Sequence, residues 1–580
     1  MARPYGRSSG CGIVRGPTYD GAVTTTAARP ALDAVAPAGG STAQRLRRHL
    51  IGRQPSADLW GWLGPLLVTL VGGVLRFWHL GRPHQLVFDE TYYVKQGSSF
   101  LDYGYERSVA ASLGTTADQR FTSGTTNVWG TAADFVVHPP VGKWMIAVGE
   151  LLFGQTSSFG WRFASALCGT LSILMVARIG RRLLGSTLLG STAGLLLAFE
   201  GHHFVHSRTG LLDLFVMFWA LAAFGALLID RDAARTRLAA LVAEGAAADD
   251  AAGGGPAAST IAAARRRVPS MRIPGTGPSL GWRPWRIVAG VCLGLAVGTK
   301  WSGLYFVAVF GLMTVLWDVG ARRAVGLRGW LPGGLLRDGV PAFLTIIPVA
   351  VVTYLATWTG WFRTSGGWDR QWGEQHPSAS FGWVPDSLRG LWHYHQEMWH
   401  FHVTLHSPHP YKTNPWSWLV QGRPTSFFYE SPKRGVDGCT VAQCSKAITS
   451  IGTPTLWWGA TVAVLVLLVM WAGRRDWRAG AVLAGLVAGY LPWFFFQERT
   501  IYTFYAVAFV PWVVLAVTYV LGLVLGPPGA SPRRKLVGSV AAGSYVVVCV
   551  GLFLYFYPIY TAQVIPYAQW SSRMWFPSWI

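Results

Sequence analysis

The sequence predicts an all-α polytopic membrane protein with about eleven transmembrane helices. Hydrophobic residues make up 51% of the 580 residues and charged residues only 13%, whereas soluble domains carry about 25% charged residues. Apolar runs recur along the chain, and arginine pairs and triplets lie in the connections between them. Because lysine and arginine are retained on the cytoplasmic side, the same pattern predicts which connections are cytoplasmic.

The net charge of +22 at pH 7 is by itself also typical of proteins that bind nucleic acid. No basic helix or row of stacking aromatic residues accompanies that charge, and the arginines instead cluster beside apolar runs. We therefore interpret the charge as that of a membrane protein surrounded by lipid, and we expect no nucleic-acid partner.

Residues 1–55 are rich in Arg, Ala, Gly, Ser and Thr and show no apolar period, which predicts a disordered cytoplasmic tail. They contain no early apolar run of the kind found in a cleaved signal peptide. Residues 56–580 form the predicted transmembrane domain. Four arginines precede its first span, which places the N-terminus in the cytoplasm and the following segment outside.

The apolar run 141–153 is about 13 residues long, whereas a helix needs about 20 residues to cross the hydrocarbon. We therefore predict an interfacial helix within a first outer loop, residues 81–161. With this choice the next span runs from the outside to the cytoplasm, and Arg178, Arg181 and Arg182 lie on the cytoplasmic side. Lysine and arginine are enriched on that side of membrane proteins.

The remaining spans then alternate in direction, and the major arginine pairs and triplets all fall on the cytoplasmic side. The last span leaves the C-terminus outside. An Ala/Gly-rich stretch, residues 230–284, is predicted to be a disordered cytoplasmic loop. Residues 359–452 form one long outer loop. The predicted spans are 60–78, 163–179, 188–199, 211–229, 287–299, 303–317, 340–358, 456–471, 481–496, 504–525 and 537–557.

Asp89 and Glu90 lie among aromatic residues just beyond the first span. Adjacent carboxylates at a membrane edge are costly unless they act on something, which makes them the candidate reaction centre. Two acidic residues in the first turn of a solvated helix are the alternative interpretation.

The other polar motifs fall almost entirely on the same predicted outer side. A transporter would more often keep ionisable groups near the bilayer midplane on broken helices, so a one-sided active site is the better interpretation. No phosphate-binding glycine loop or dinucleotide fingerprint occurs in the chain. If the site faces outward, its activated substrate must be supplied without a nucleotide, which indicates a group carried on a lipid phosphate in the membrane.

Asp230-Arg231-Asp232 has the Asp-x-Asp spacing that binds a metal-bound nucleotide in many enzymes. It abuts the predicted cytoplasmic loop, away from the other polar motifs.

Several motifs, in this order along the chain, resemble those of the protein O-mannosyltransferases, which are GT-C membrane enzymes. The resemblance extends from about residue 60 to about residue 560, and the short outer loop resembles a bacterial, actinobacterial-type member. Glu200 stands where the family pattern suggests Asp. The motifs are Phe88-Asp89-Glu90, His138-Pro139-Pro140-Val141-Gly142-Lys143, Ser207-Arg208 with Leu211-Leu212-Asp213, Gly298-Thr299-Lys300-Trp301-Ser302-Gly303, His409-Pro410-Tyr411 and Pro415-Trp416-Ser417-Trp418.

The resemblance implies a GT-C fold at the plasma membrane and an extracytoplasmic site that moves mannose from polyprenyl-phosphate-mannose to Ser/Thr-rich secreted polypeptides, which we expect it to meet at the secretion translocon. Inverting transfer needs a carboxylate base, and we assign Asp89 as base and Glu90 as its acceptor-positioning partner. Arg208, Lys300 and Arg499 are the phosphate candidates, because each lies at a predicted outer span end; snorkelling interfacial cations are the alternative. The resemblance further implies binding or site-organising roles for His138, Lys143, Arg162, Asp213, His409, Tyr411 and Trp416.

Three questions stay open at this point. Two His-x-His pairs, His393 with His395 and His400 with His402, could ligate a divalent metal, yet no Cys or carboxylate completes a set at typical spacing. Cys439 and Cys444 could form a disulfide if their loop is extracytoplasmic. A related enzyme that moves a sugar to a lipid or glycan acceptor is the rival function, and a non-catalytic transporter is the second.

Overall fold

The computed structural model describes residues 41–52, 55, 59–251 and 276–580. Side chains within the helix that ends at Ala251 are described up to residue 247. The described residues are mostly helical, as the sequence predicts. The helices are α1 (Thr42–Ile51), α2 (Trp60–Phe77), α3 (Glu90–Tyr103), α4 (Ala117–Thr122), α5 (Val141–Phe153), α6 (Ser158–Leu184), α7 (Thr187–Ala198), α8 (Gly201–His206), α9 (Asp213–Ala251), α10 (Pro284–Thr299), α11 (Gly303–Ala324), α12 (Trp330–Pro332), α13 (Val340–Thr357), α14 (Thr359–Arg363), α15 (Trp372–Gln375), α16 (Asp386–Thr404), α17 (Pro454–Arg474), α18 (Trp477–Gly489), α19 (Val510–Leu525), α20 (Pro532–Tyr560) and α21 (Tyr567–Ser571).

In the described part of the chain, five strands form two small antiparallel sheets. The first sheet pairs β1 with β2, and the second has the order β3-β4-β5, so the strand after α20 pairs with the strand before α17. The strands are β1 (Arg107–Val109), β2 (Trp129–Ala133), β3 (Thr425–Glu430), β4 (Cys444–Ser450) and β5 (Val564–Pro566). The shorter helical turns are Ala111–Thr116, Gly333–Gly339, Pro415–Ser417, Leu491–Phe495, Thr503–Phe509 and Pro577–Trp579.

Nine helical segments of the described chain are long and apolar enough to cross a membrane. Two shorter apolar helices, α7 and α10, overlap the other two predicted spans.

Local sequence explains where several helices begin and end. Ser157 caps α6 by accepting a hydrogen bond from the Gly160 amide, and Gly185 ends that helix in the left-handed conformation. Proline in the first turn begins α10, α17, α19 and α20, where its missing amide hydrogen costs nothing.

The two ends of this helix bundle differ. The end that carries residues 78–157 and 358–453 is called the loop end below, and the other is called the opposite end. At the opposite end, aspartates and arginines from α9, α10, α11 and neighbouring segments form a buried ion-pair network. Its members are Asp230, Arg283, Arg286, Asp318, Arg322 and Asp338.

This network corrects one prediction. Residues 230–251 continue α9 as helix, and residues 276–284 are ordered, so the prediction of disorder for 230–284 is wrong for these parts. Arg283 pairs with both Asp230 and Asp318, which fixes the chain before α10 against α9 and α11. Asp230 is therefore an ion-pair partner within the protein. Residues 252–275 of the predicted cytoplasmic loop lie outside the described residues.

The predicted disordered tail needs a second correction. Residues 42–51 form α1, and Leu50 and Ile51 are buried against Leu238 and Val242 of α9. The helix is stabilised by this tertiary contact, which composition does not show. Residues 1–40 of the predicted tail lie outside the described residues.

In the two long segments at the loop end, α5 has the bounds predicted for the interfacial helix. The segment 358–453 contains α14, α15 and α16 and the strands β3 and β4. A disulfide joins Cys439 to Cys444, the first residue of β4, which answers the question that the sequence left open.

Candidate active site

A cavity of about 320 Å³ lies at the loop end of the bundle. It is bounded by the segment before α5, the first residues of α9 and α11, the last turns of α16 and the segment between α18 and α19. Four of the predicted site residues meet there. The lining residues are His138, Asp213, Lys300, Trp301, Ser302, Leu304, Tyr305, Trp399, His402, Val403, Trp493, Phe496, Arg499 and Tyr505.

Lys300 supplies one positive charge to this cavity. It directly follows α10, and its Nζ donates to the Asp213 carboxylate at 2.8 Å. Asp213 is the first residue of α9, so the ion pair joins two helix ends. Nζ also lies 5.2 Å from the centre of the Tyr505 ring. These contacts hold the ammonium group at the cavity wall.

Arg499 supplies the second charge, and His402 holds it. His402 Nε2 donates to the Val137 carbonyl at 2.7 Å, because a carbonyl oxygen can only accept. His402 Nδ1 therefore accepts from the Arg499 guanidinium at 3.1 Å. Burial and the Arg499 charge lower the pKa of His402 to about 4, so this ring stays neutral. Arg499 Nε is buried without a partner in the described protein.

His138 stacks on His402 with ring centres 5.2 Å apart. Burial, with the charges of Lys300 and Lys143 and the nearby His402, lowers the pKa of His138 well below its usual value. Its Nδ1 has no hydrogen-bond partner in the described residues. A neutral ring with a free nitrogen at the cavity wall is suited to hydrogen-bond a polar ligand.

Asp89 lies immediately before α3 and is half-buried. Its side chain does not cap the helix and accepts no hydrogen bond from any residue that the structure describes. Burial raises the pKa of Asp89 to about 6; Lys300 lowers it and Asp213 raises it, which indicates that the carboxylate lies within electrostatic range of the cavity charges. This is an available carboxylate with a pKa close to neutral.

The backbone that presents Asp89 is strained. Phe88 adopts a φ of 51°, a left-handed conformation that is uncommon for a bulky residue. Its ring stacks on Phe427 at 4.6 Å and meets the edge of Phe504 at 5.2 Å. These aromatic contacts stabilise the unusual conformation, and strain of this kind is often found at functional sites.

Glu90 has a different environment. Both of its oxygens accept from the Arg162 guanidinium at 2.8 Å, and the amides of Val87 and Gly210 donate to them as well. Glu90 is fully buried. Arg162 also donates to the carbonyls of Leu80, Pro83 and Gln85. These contacts tie the Asp89 segment to α6 and to the residues before α9, and they leave Glu90 no exposed oxygen with which to position an acceptor.

Arg208 and Lys143 do not line the cavity. Arg208 donates to four carbonyls at the end of α2, those of Leu75, Arg76, Trp78 and His79. A phosphate contact would have to break these hydrogen bonds, so we no longer assign Arg208 to the donor phosphate. Lys143 is buried, pairs with Glu106 and donates to the His138 carbonyl at 2.8 Å, which positions His138.

His409, Tyr411 and Trp416 lie in the segment between α16 and β3, outside the cavity wall. The His409 ring meets the edge of Tyr502 at 5.0 Å, and Trp416 is largely exposed and packs on Phe494. Glu200, whose role the sequence left open, is buried and caps α8 through the amides of His202 and His203.

The histidines of α16 do not converge on one point. His393 pairs with Asp369, His395 with Tyr354 and His402 with Arg499. No three His, Cys, Asp or Glu side chains gather as a metal site would require within the described ranges. These residues therefore do not fit a metal ion.

Sequence reasoning did not select several cavity residues. Trp301 adjoins Lys300 in a motif that the sequence analysis quoted, and His402 belongs to the histidine run, so both had a local signal. Tyr505 and Trp493 had none, because only the packing of the segment after α18 brings them to the cavity.

The helical architecture, with its cavity at one end of the bundle, is that of the GT-C class of membrane proteins, which the motifs predict. A complex from Saccharomyces cerevisiae, described as "protein O-mannosyltransferase Pmt1-Pmt2 complex bound to the sugar donor", has the same fold, with a TM-score of 0.65. The match covers 93% of this chain and 94% of that chain at 13% sequence identity.

The family model described as dolichyl-phosphate-mannose-protein mannosyltransferase matches residues 66–237 and 275–325. The model of the C-terminal four-transmembrane region of protein-O-mannosyltransferase matches residues 387–579. The chain belongs to this protein mannosyltransferase family, which confirms the resemblance that the motifs indicate.

Two relatives are named polyprenol-phosphate-mannose–protein mannosyltransferase. The protein from Mycolicibacterium smegmatis (strain MKD8) is 38% identical over 530 residues. The protein from Mycobacterium tuberculosis (strain CDC 1551 / Oshkosh) is 39% identical over 542 residues. Each alignment covers 90% of this chain and 93% of the relative.

Proposed function

We propose that this chain transfers mannose from polyprenyl-phosphate-mannose to Ser or Thr hydroxyls of secreted or membrane polypeptides. Membership of the family and the names of its relatives support the donor and the protein acceptor. The observation that carries the chemistry is an available carboxylate, Asp89, within electrostatic range of the cavity that holds Lys300 and Arg499.

In the proposed reaction, Asp89 accepts the proton of the acceptor hydroxyl as its oxygen attacks the anomeric carbon. The bond between that carbon and the phosphate oxygen breaks on the opposite side, so the configuration inverts. The polyprenyl phosphate leaves as an anion and needs no proton. Lys300 and Arg499 neutralise the charge that develops on it.

The neighbouring polar residues position these groups. Asp213 holds Lys300, and His402 holds Arg499. We assign Glu90 and Arg162 to the same kind of role, because their mutual ion pair fixes the segment that carries Asp89. This replaces the expectation that Glu90 positions the acceptor. His138, with its free Nδ1, is the proposed hydrogen-bond partner of the sugar or the acceptor.

We further propose that the protein is a multi-pass protein of the plasma membrane with its N-terminus in the cytoplasm and its site outside. The placement of Arg322-Arg323, Arg474-Arg475 and Arg533-Arg534-Lys535 between spans at the opposite end supports this orientation. Acceptor polypeptides would then meet the site as they leave the secretion translocon.

The test is transfer of labelled mannose from polyprenyl-phosphate-mannose to a Thr/Pro-rich peptide by the purified protein in lipid nanodiscs. Asp89→Asn should lower the rate by about 10² to 10⁴, because the variant keeps the size of the side chain and loses the base. Asp102→Asn is the matched control, since Asp102 is an exposed carboxylate on α3. Label in a lipid or glycan product instead of the peptide would support the rival transferase, and near-normal transfer by Asp89→Asn would exclude Asp89 as the base.

A further inference from the structure

Helix α16 carries an apolar stripe that no other part of the described protein covers. Its exposed residues are Leu388 at 40%, Trp392 at 68%, Trp399 at 57% and Val403 at 36% of full exposure. At about 100° per residue, these four positions fall within about 60° of one another on the helix surface. The stripe is therefore one continuous face of the helix.

The rest of α16 explains why this face is distinct. Leu391, Tyr394 and Met398 form the adjacent buried face, which packs on the end of α13 and the segment before α5. The side beyond the stripe is polar and includes the exposed Gln396 and His400. A helix with a packed face, an exposed tryptophan-rich stripe and a polar side has the pattern of a helix that lies in a membrane interface.

The position of α16 agrees with that pattern. Its His395 ring contacts Tyr354 and Trp358, which lie in the last turn of α13 and just beyond it. The segment that includes α13 is long and apolar enough to span the membrane, so α16 lies at the level where a span ends. Tryptophan and tyrosine are enriched at that level in membrane proteins.

The stripe also continues into a surface that faces lipid. Trp399 and Val403 share the cavity wall with Leu304, in the first turn of α11. Leu304 is 51% exposed, and Leu312 and Leu316 continue the exposed apolar face of this spanning helix. A lipid bilayer in contact with α11 would therefore meet the stripe across the mouth of this cavity.

We propose that the stripe of α16 lies in the headgroup and acyl-chain boundary of the bilayer, with the lipid bilayer itself as its partner. The mouth of the cavity between Trp399, Val403 and Leu304 then opens towards lipid. This assignment depends on the exposed face of α16 and its neighbours, and it does not depend on the proposed reaction.

The test places an environment-sensitive NBD fluorophore on single cysteines in nanodiscs of phosphatidylcholine. Trp392→Cys probes the stripe, and His400→Cys is the matched control on the polar side of the same helix. Cys168, Cys292 and Cys549 are buried and Cys439 is bonded to Cys444. Cys11, which lies outside the described residues, is replaced by Ser in every variant, and the Cys11→Ser protein gives the background. Leu388→Cys repeats the stripe measurement if the tryptophan variant fails to fold.

Doxyl-labelled lipid should remove most of the NBD emission at position 392 and little at position 400, and aqueous iodide should do the reverse. Equal iodide quenching at both positions would overturn the proposal. Iodide quenching at 392 that a Ser/Thr-rich peptide relieves would assign the stripe to the acceptor. Protection at 392 that depends on protein density, without doxyl quenching, would assign it to a second copy of the chain.

Discussion

Two adjacent carboxylates, Asp89 and Glu90, have opposite environments. Glu90 accepts four hydrogen bonds from Arg162 and two backbone amides, whereas Asp89 accepts none from the described residues. The sequence predicts that this pair matters because two charges at a span end are costly. It cannot tell which carboxylate faces the protein, since that depends on the strained backbone at Phe88 and on Arg162 from a distant helix.

The pH dependence of the reaction should report the Asp89 carboxylate. A base must be deprotonated to accept a proton, and burial raises the pKa of Asp89 to about 6. The turnover rate at saturating donor and peptide should therefore fall as the pH drops through about 6 and be flat above it. Steady-state rates over this range measure it. A rate that is unchanged down to pH 5 would contradict the assignment.

Glu90→Gln should affect stability, because it leaves the buried Arg162 guanidinium without its counter-charge. Removing one partner of a buried ion pair typically costs about 3–5 kcal/mol of unfolding free energy. Thermal unfolding of the purified protein should show a clear drop in midpoint for Glu90→Gln. Asp89→Asn is the control and should unfold near the wild-type temperature, since Asp89 has no such partner. Equal midpoints for Glu90→Gln and wild type would remove Glu90 from this positioning role.

At the scale of elements, the end of α2 illustrates what an arginine at a span end can do. The last carbonyls of a helix lack partners within the helix, and Arg208 donates to the carbonyls of Leu75 and Arg76 and to two residues beyond. Arg499 also follows a predicted outer span end, after α18, but its side chain lines the cavity. The sequence shows the same feature for both arginines, a cation just beyond a span. Only the packing of the folded chain determines that Arg208 caps a helix and that Arg499 is available to a ligand.

The contrast between these arginines gives a paired prediction. Arg499→Ala should raise the Michaelis constant for the lipid donor by about 10- to 150-fold, because a charge-assisted hydrogen bond contributes about 1.5–3 kcal/mol. The constant for the peptide should change little. Arg208→Ala should lower the unfolding temperature and leave the donor constant near that of the wild type. Donor titrations at fixed peptide separate the two, and the reverse pattern would return the phosphate role to Arg208.

The sequence predicts apolar spans better than the other elements of this chain. Length and composition alone identify a span, and each of the eleven predicted spans overlaps an apolar helical segment in the structure. Helix α1 and the extension of α9 were missed because mutual burial of Leu50 and Leu238 stabilises them, which no local pattern reports. Strands β3 and β4 were missed in a polar loop; β4 pairs with β3 on one side, and its second partner, β5, lies beyond α20.

At the scale of the whole molecule, charge is sorted between the two ends. The opposite end neutralises its buried arginines with Asp230, Asp318 and Asp338. At the loop end, Lys300 and Arg499 line a cavity; Lys300 pairs with Asp213, and the carboxylate of Asp89 lies within electrostatic range of Lys300. An anionic lipid headgroup at the loop end would meet Arg499, whose Nε has no hydrogen-bond partner in the described protein.

The last prediction tests which compartment that end faces. The arginine clusters between spans at the opposite end, including Arg533 and Arg534, should keep that end in the cytoplasm. Ser380→Cys in the segment 358–453 and Arg533→Cys in the first turn of α20 are both at exposed positions. In a Cys11→Ser background, a membrane-impermeant maleimide added to intact cells should label the first variant at once and the second only after permeabilisation. Labelling of Arg533→Cys in intact cells, with Ser380→Cys protected, would place the cavity in the cytoplasm and exclude acceptors that have already crossed the membrane.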